Sequence, residues 1–191
     1  MIAAMPVEIW DARFFTPAQA QGIGELINQV WPKPNMTAEL RAEQAIASGQ
    51  QYLGQPGPAP RAIVLLDGQR LVAHASIFPR VIGTDEGEML IGGLARVCSD
   101  PAMRGHGLGE QVVREAFKLV DAGQFDAALF QTKQNVRPFY EKLGCVLVQN
   151  RIVNSHGDDP AANPFWDEVV MRYPSAASWP AGTIDLRGPG Y

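Results

Sequence analysis

Cysteine is nearly absent. Cys98 and Cys145 are the only two in 191 residues, far apart and with no CxxC or CxxH neighbour. That spacing provides neither a disulfide framework nor a zinc ligand set, so both thiols are expected to be buried and reduced, and no metal is expected. An excess of basic residues is missing too: 16 Lys and Arg face 20 Asp and Glu, a net charge of -4. Proteins that bind nucleic acid usually carry a basic stripe, so a polyanion is excluded as the main partner, and a neutral or cationic small molecule fits better. No apolar run reaches the length of a membrane span. The stretch from Met1 to Trp10 lacks the basic start and apolar centre of a secretion signal, so a cytoplasmic location without membrane attachment is expected.

What is there is 46% hydrophobic and 19% charged, enough for one domain over residues 1–191 with a sizeable core. Val7 to Phe15 reads as a strand, and Thr16 can cap a helix carrying Ile23, Leu26, Ile27 and Val30. A second helix is expected from Thr37 to Ser48. Ala62–Leu66 and Leu71–Ile82 flank the turn Asp67-Gly68-Gln69-Arg70 and predict a hairpin, with Met89–Cys98 as the next strand. Leu108 to Val120 is an amphipathic helix stopped by Gly123. Short strands follow at Ala127–Gln131, Cys145–Val148 and Glu168–Tyr173, with a short helix from Val136 to Leu143. This order implies a mixed α/β (α+β) fold, mostly antiparallel, with about seven strands and about four helices.

Between the strand ending at Cys98 and the amphipathic helix lies Ser99-Asp-Pro-Ala-Met-Arg104-Gly105-His106-Gly107-Leu108-Gly109. Glycines allow successive N–H groups to turn toward one point, and a helix N-terminus adds roughly half a positive charge. A pyrophosphate suits such a place, with Arg104 supplementing the charge. The pattern is neither a Rossmann fingerprint nor a Walker A loop.

It resembles the RxxGxG signature of the GNAT superfamily of acyltransferases. Asn135-Val-Arg-Pro-Phe139-Tyr140-Glu-Lys-Leu-Gly144 is similar to the same family's downstream helix. Two branches look closest. Leu71-Val-Ala-His74, Pro79-Arg80 and the run from Ser178 through Gly182 to Pro189 resemble the nodulation N-acyltransferases (NodA). The Pro138–Gly144 run and a chain end with Asp, Arg and a terminal aromatic resemble the aminoglycoside N-acetyltransferases acting at the 2′ amine.

The resemblance implies a GNAT-like sheet and direct transfer of an acetyl group from acetyl-CoA to a primary amine of a small molecule. It assigns Arg104, Gly105, His106, Gly107, Leu108 and Gly109 to the CoA pyrophosphate, and backbone N–H groups of Val97, Cys98 and Ser99 to the thioester oxygen. Tyr140 takes the position from which a tyrosine protonates the leaving thiolate. Asn135 is either a weak cofactor contact or the cap of its helix.

Related branches often carry a glutamate on the strand before the loop, and Ile91–Val97 has none. Glu88, His74, Asp185 or a relaying water is then the base, with His74 on its apolar strand more readily a core histidine. Arg96 stands where an acid is usual and either pairs with Glu88 or binds a carboxylate on the acceptor. The chain end, 174–191, is expected to be ordered at the acceptor site, with Asp185 and the carboxylate of Tyr191 presented to a cationic amine. Long-chain transfer from an acyl carrier protein and a noncatalytic CoA-binding module are the alternative functions. A homodimer is left open.

Overall fold

The structure, a computed structural model, describes residues 5–191. Residues 1–4, part of the stretch read above for a secretion signal, lie outside the described residues. Its strands form a mixed, mostly antiparallel sheet accompanied by four α-helices. The described residues divide into two compact units, residues 5–78 with 95–116, and residues 79–94 with 117–191.

The first unit contains β1 (Val7–Asp11), α1 (Pro17–Val30), α2 (Ala38–Gln50) and β2 (Arg61–Asp67), with the first part of β3 (Arg70–Thr84) and the end of β4 (Gly87–Ser99). Thr16 and Gln19 form a reciprocal capping box that satisfies the first N–H groups of α1, and Pro17 sits where no N–H is needed. Ala20, Ile23, Gly24 and Ile27 then recur at helical spacing on the buried face. A Cβ on Gly24 would stand 2.1 Å from the Ala38 carbonyl oxygen, so α1 and α2 approach so closely that only glycine fits. β2 runs antiparallel to both β1 and β3, with Ile63 opposite Ile9 on one side and Ala75 on the other.

The second unit holds the remainder of β3 and β4, the end of α3 (Leu108–Asp121), β5 (Ala127–Thr132), α4 (Arg137–Glu141), β6 (Val146–Leu147), β7 (Arg151–Val153), β8 (Val169–Tyr173) and β9 (Thr183–Asp185). β5 runs parallel to β4 through Ile91–Gly93 and antiparallel to β8, while β6 pairs on the far side of β8.

Two strands, β7 and β9, are additional to those expected from the sequence. Both are three residues long, too short for a periodicity to show. β9 pairs antiparallel with β3 and parallel with β7. The chain end is thereby part of the sheet: Ile184 and Leu186 are fully buried with Ile82, Ile152 and Phe165. Replacing Ile184 by Ala should destabilise the protein by about 2–5 kcal/mol, the usual cost of a buried cavity of that size. Urea unfolding would measure it, and a loss below about 0.5 kcal/mol would mean that β9 is peripheral.

Candidate functional site

The turn between β4 and α3 is fixed from below by a buried acid. Asp100 is fully buried. Its backbone N–H donates to the Val72 carbonyl at 2.8 Å, tying the end of β4 to β3. One carboxylate oxygen accepts from Ala102 N–H at 2.8 Å and from Gln29 Nε2 of α1 at 3.1 Å. The other oxygen accepts from Arg70. The Ala102 amide above all, then Arg70 and Gln29, hold this carboxyl below the usual carboxylate range. Nothing local in the sequence singles out Asp100, because its partners Arg70 and Gln29 lie 30 and 71 residues away.

Above this anchor, Pro101–Met103 forms a single 3-10 turn and Arg104 is extended and exposed. Gly105 and Gly107 take φ of +84° and +73°, the left-handed region that side chains avoid. Where a Cβ would stand on either, nothing lies within 4 Å. His106 between them is exposed, with Nδ1 at 3.1 Å from the Met103 carbonyl. Leu108 is buried and starts α3, whose first turn closes with Gln111 N–H on the Gly107 carbonyl at 3.1 Å. The leading N–H groups of a helix have no partner within it. Open glycine backbone followed by such a terminus fits a phosphate, by charge and by space.

Just before this turn, β4 departs from regular strand geometry, with Arg96 at φ +53°. Two side chains of β3 take the carbonyls there: Ser76 Oγ donates to Ala95 at 3.0 Å, and His74 Nδ1 lies 2.9 Å from the Arg96 oxygen. A carbonyl only accepts, so Nδ1 carries the imidazole proton. Burial pushes His74 down to about 4, leaving it neutral at pH 7 and a weak base. Burial likewise pushes both thiols, Cys98 and Cys145, up to about 12, so neither is a nucleophile. Val97 and Ser99 flank Cys98 half-buried in the strand.

The second unit holds the other sequence candidates. Tyr140 is buried on α4, its ring 4.5 Å from Phe130 of β5 and edge-on to Phe139 at 4.9 Å. The helix is shorter than expected, and its N-cap is Val136, with no side-chain cap. The capping role considered for Asn135 therefore falls away, since the chain turns one residue later than that role requires.

Glu88 opens β4, at the opposite end of that strand from Ser99. It accepts from Arg187 at 2.6 Å, so the pairing with Arg96 considered above is replaced by one with the chain end. Asp185 accepts from Ser155 N–H at 2.9 Å, Ser155 Oγ at 2.5 Å and Arg187 N–H at 3.1 Å. Tyr191 donates its hydroxyl to the Leu129 carbonyl at 3.0 Å, and its terminal oxygen accepts from Gln131 at 2.7 Å. A hollow of about 460 Å³ opens beside Glu88, Glu86 and Asp126. Its acids are engaged locally, Glu86 with Ala181 N–H and Asp126 with Leu90 N–H. Among the described residues no cluster of His, Cys, Asp and Glu could hold a metal, and no helix is long and apolar enough to cross a membrane.

The folded His74 resists a proton that the unfolded chain accepts near 6.5, so its contribution is complete above that pH and is lost as pH falls toward about 4. Between pH 7 and 5 the wild type should lose about 2 kcal/mol more stability than His74→Asn. Urea melts at the two pH values test this, and parallel losses in both proteins would refute a buried neutral imidazole.

Comparison with known proteins gives three findings. The model of the family described as acetyltransferase (GNAT) domain matches residues 11–148. No curated protein matches the chain. Many solved structures share the fold, among them a GNAT family N-acetyltransferase (YhbS) from Escherichia coli in complex with CoA, at 14% identity and TM-score 0.61, covering 97% of this chain and 92% of that one. An acyl-CoA N-acyltransferase from Pseudomonas aeruginosa matches at 16% identity and TM-score 0.58, over 88% of this chain and 99% of that one. Glucosamine-6-phosphate N-acetyltransferase from Arabidopsis thaliana matches at 18% identity and TM-score 0.56, over 73% and 90%. At such identities the likeness is one of fold.

Proposed function

Because the chain belongs to the GNAT acetyltransferase domain family, we propose that it transfers an acetyl group from acetyl-CoA directly to the primary amine of a small molecule. The observation that carries this reading is the open left-handed glycine turn at Gly105 and Gly107, leading straight into α3. A nucleotide diphosphate needs N–H groups and positive potential at close range, and this turn offers both. A cradle of several N–H groups suits the diphosphate of CoA better than the single phosphate of an acyl carrier's pantetheine arm, which favours the CoA thioester as donor.

Acetyl-CoA supplies an activated acetyl group; the remaining tasks fall to the chain. Arg104 and the N–H groups from Gly105 to Gly109 bind phosphate. Backbone N–H groups in Val97–Ser99 meet the thioester oxygen as negative charge develops on it. Tyr140 donates its phenolic proton to the departing sulfur, a transfer suited to a group with an ordinary value near 10. Glu88 is committed to Arg187 and His74 is a weak base, so the acceptor ammonium loses its proton to water. The unprotonated amine attacks the carbonyl carbon, the C–S bond breaks as Tyr140 protonates the sulfur, and the proton that nitrogen sheds on forming the amide goes to water, from which the tyrosinate regains its own.

A panel of primary amines assayed for CoA release tests the reading. Tyr140→Phe should lower kcat about a hundredfold with acetyl-CoA affinity kept, since only the proton donor is lost. Gly107→Val should weaken acetyl-CoA binding at least tenfold, because a Cβ at that φ is strained and faces the phosphate. Unchanged kcat in the first variant would remove the general-acid role. Unchanged affinity in a folded Gly107→Val would remove the cradle.

A further inference from the structure

In a regular strand successive carbonyls point to opposite neighbours. β4 breaks this alternation at Ala95 and Arg96, whose carbonyls both meet side chains of β3: Ser76 Oγ donates to the first at 3.0 Å, and His74 Nδ1 lies 2.9 Å from the second. His74 and Ser76 stand two residues apart and so share one face of β3. His74 is only 2% exposed, which keeps water from competing for the bond.

A trans peptide sets its N–H opposite its C=O. With the Ala95 and Arg96 carbonyls drawn to β3, the N–H groups of Arg96 and Val97 both point away from β3. The neighbours of β4 are β3 and β5, and β5 lies along it from Ile91 to Gly93. Past Gly93 the side of β4 away from β3 carries no strand among the described residues, so the two adjacent N–H groups are turned toward an edge without a ladder. Successive N–H groups beside a left-handed residue form a small concavity that suits an oxygen on which negative charge develops. Arg96 supplies that residue at φ +53°. Such a conformation is strained for a residue with a Cβ and persists only where the surroundings impose it. The two bonds from β3 supply that constraint.

We propose that His74 and Ser76 are positioning residues for acetyl transfer: by holding the Ala95 and Arg96 carbonyls from β3, they keep the N–H groups of Arg96 and Val97 turned out to receive the thioester oxygen. This rests on the reading of this end of β4 as the place where the thioester lies. The two side chains act through the backbone, and His74 serves as a hydrogen-bond donor, not as a base. Without their bonds the strained peptide at Arg96 relaxes toward a regular strand, and one of the two N–H groups turns back to β3.

The experiment loads the full chain with acetyl-CoA carrying carbon-13 at the thioester carbonyl and records the carbonyl stretch of the bound ligand by isotope-edited infrared spectroscopy. Calorimetry gives acetyl-CoA affinity, and CoA release with an amine that the wild type acetylates gives kcat. The variants are His74→Leu, Ser76→Ala and His74→Asn, each checked for folding by its melting profile; the Asn amide can donate where Nδ1–H does. The wild type should move the stretch to lower wavenumber than in free acetyl-CoA, because N–H groups polarise the carbonyl. His74→Leu and Ser76→Ala should return it toward the free value and lower kcat about ten- to a hundredfold, with acetyl-CoA affinity changed less than about threefold since the phosphate contacts remain. His74→Asn should recover most of the band shift and most of kcat.

A shifted band and full kcat in folded His74→Leu and Ser76→Ala overturn the positioning role and leave the thioester reading intact. An unshifted band in the wild type with acetyl-CoA bound overturns both. A kcat that falls as far in His74→Asn as in His74→Leu while the band stays shifted makes His74 a base and contradicts the proposal. Should His74→Leu fail to fold, Ser76→Ala and His74→Asn carry the same comparison, and where no amine is turned over the infrared comparison decides alone.

Discussion

Asp100 joins parts of the chain that are distant in sequence. Its carboxylate accepts from α1, from the start of β3 and from the turn just after it in the chain, while its own N–H reaches β3 again. A buried carboxylate is tolerable only when its oxygens are satisfied, and losing a partner leaves a desolvated charge behind. The turn above it is therefore rigid at its base, and the glycine backbone beyond that base can be open. Gly105 and Gly107 in left-handed geometry and the first turn of α3 extend from it. Preorganised N–H groups of this kind bind an anion without further ordering of the loop.

The neighbouring stretch of β4 is shaped by a related device. Irregular backbone at Arg96 frees carbonyls from the ladder, and His74 and Ser76 satisfy two of them from β3. A neutral histidine suits this task, since its Nδ1–H can donate while the ring stays buried. In the second unit the sheet is completed differently, by a chain end whose apolar residues Ile184 and Leu186 enter the core and whose polar groups are tied to Ser155, Arg187 and Gln131.

The most legible parts of the molecule in sequence were those with local signatures. The cap at Thr16, the hairpin turn at Gly68 and the amphipathic run into α3 each depend on residues within a few positions of one another. The glycine-rich turn belongs with them, because the positive φ at positions 105 and 107 is taken by glycine, the residue that adopts it most readily. Asp100, by contrast, looks in sequence like an ordinary loop aspartate before proline, and its importance comes from partners in other elements. β9 was too short to show a period, so the sequence did not reveal that Asp185 accepts from Ser155 and Arg187 or that the main-chain oxygen of Tyr191 accepts from Gln131. The short helix at Tyr140 was placed correctly but drawn too long, since Gly144 ends a turn that begins after Val136.

Most depends on whether backbone N–H groups of the turn after β4 hold the diphosphate of CoA. Proton–nitrogen correlation spectra of the labelled protein, titrated with CoA, test it at the level of single amides. The largest shifts should fall on Gly105, Gly107, Leu108 and Gly109, saturating together. Saturable binding whose shifts leave those amides unmoved would contradict a phosphate cradle at this turn.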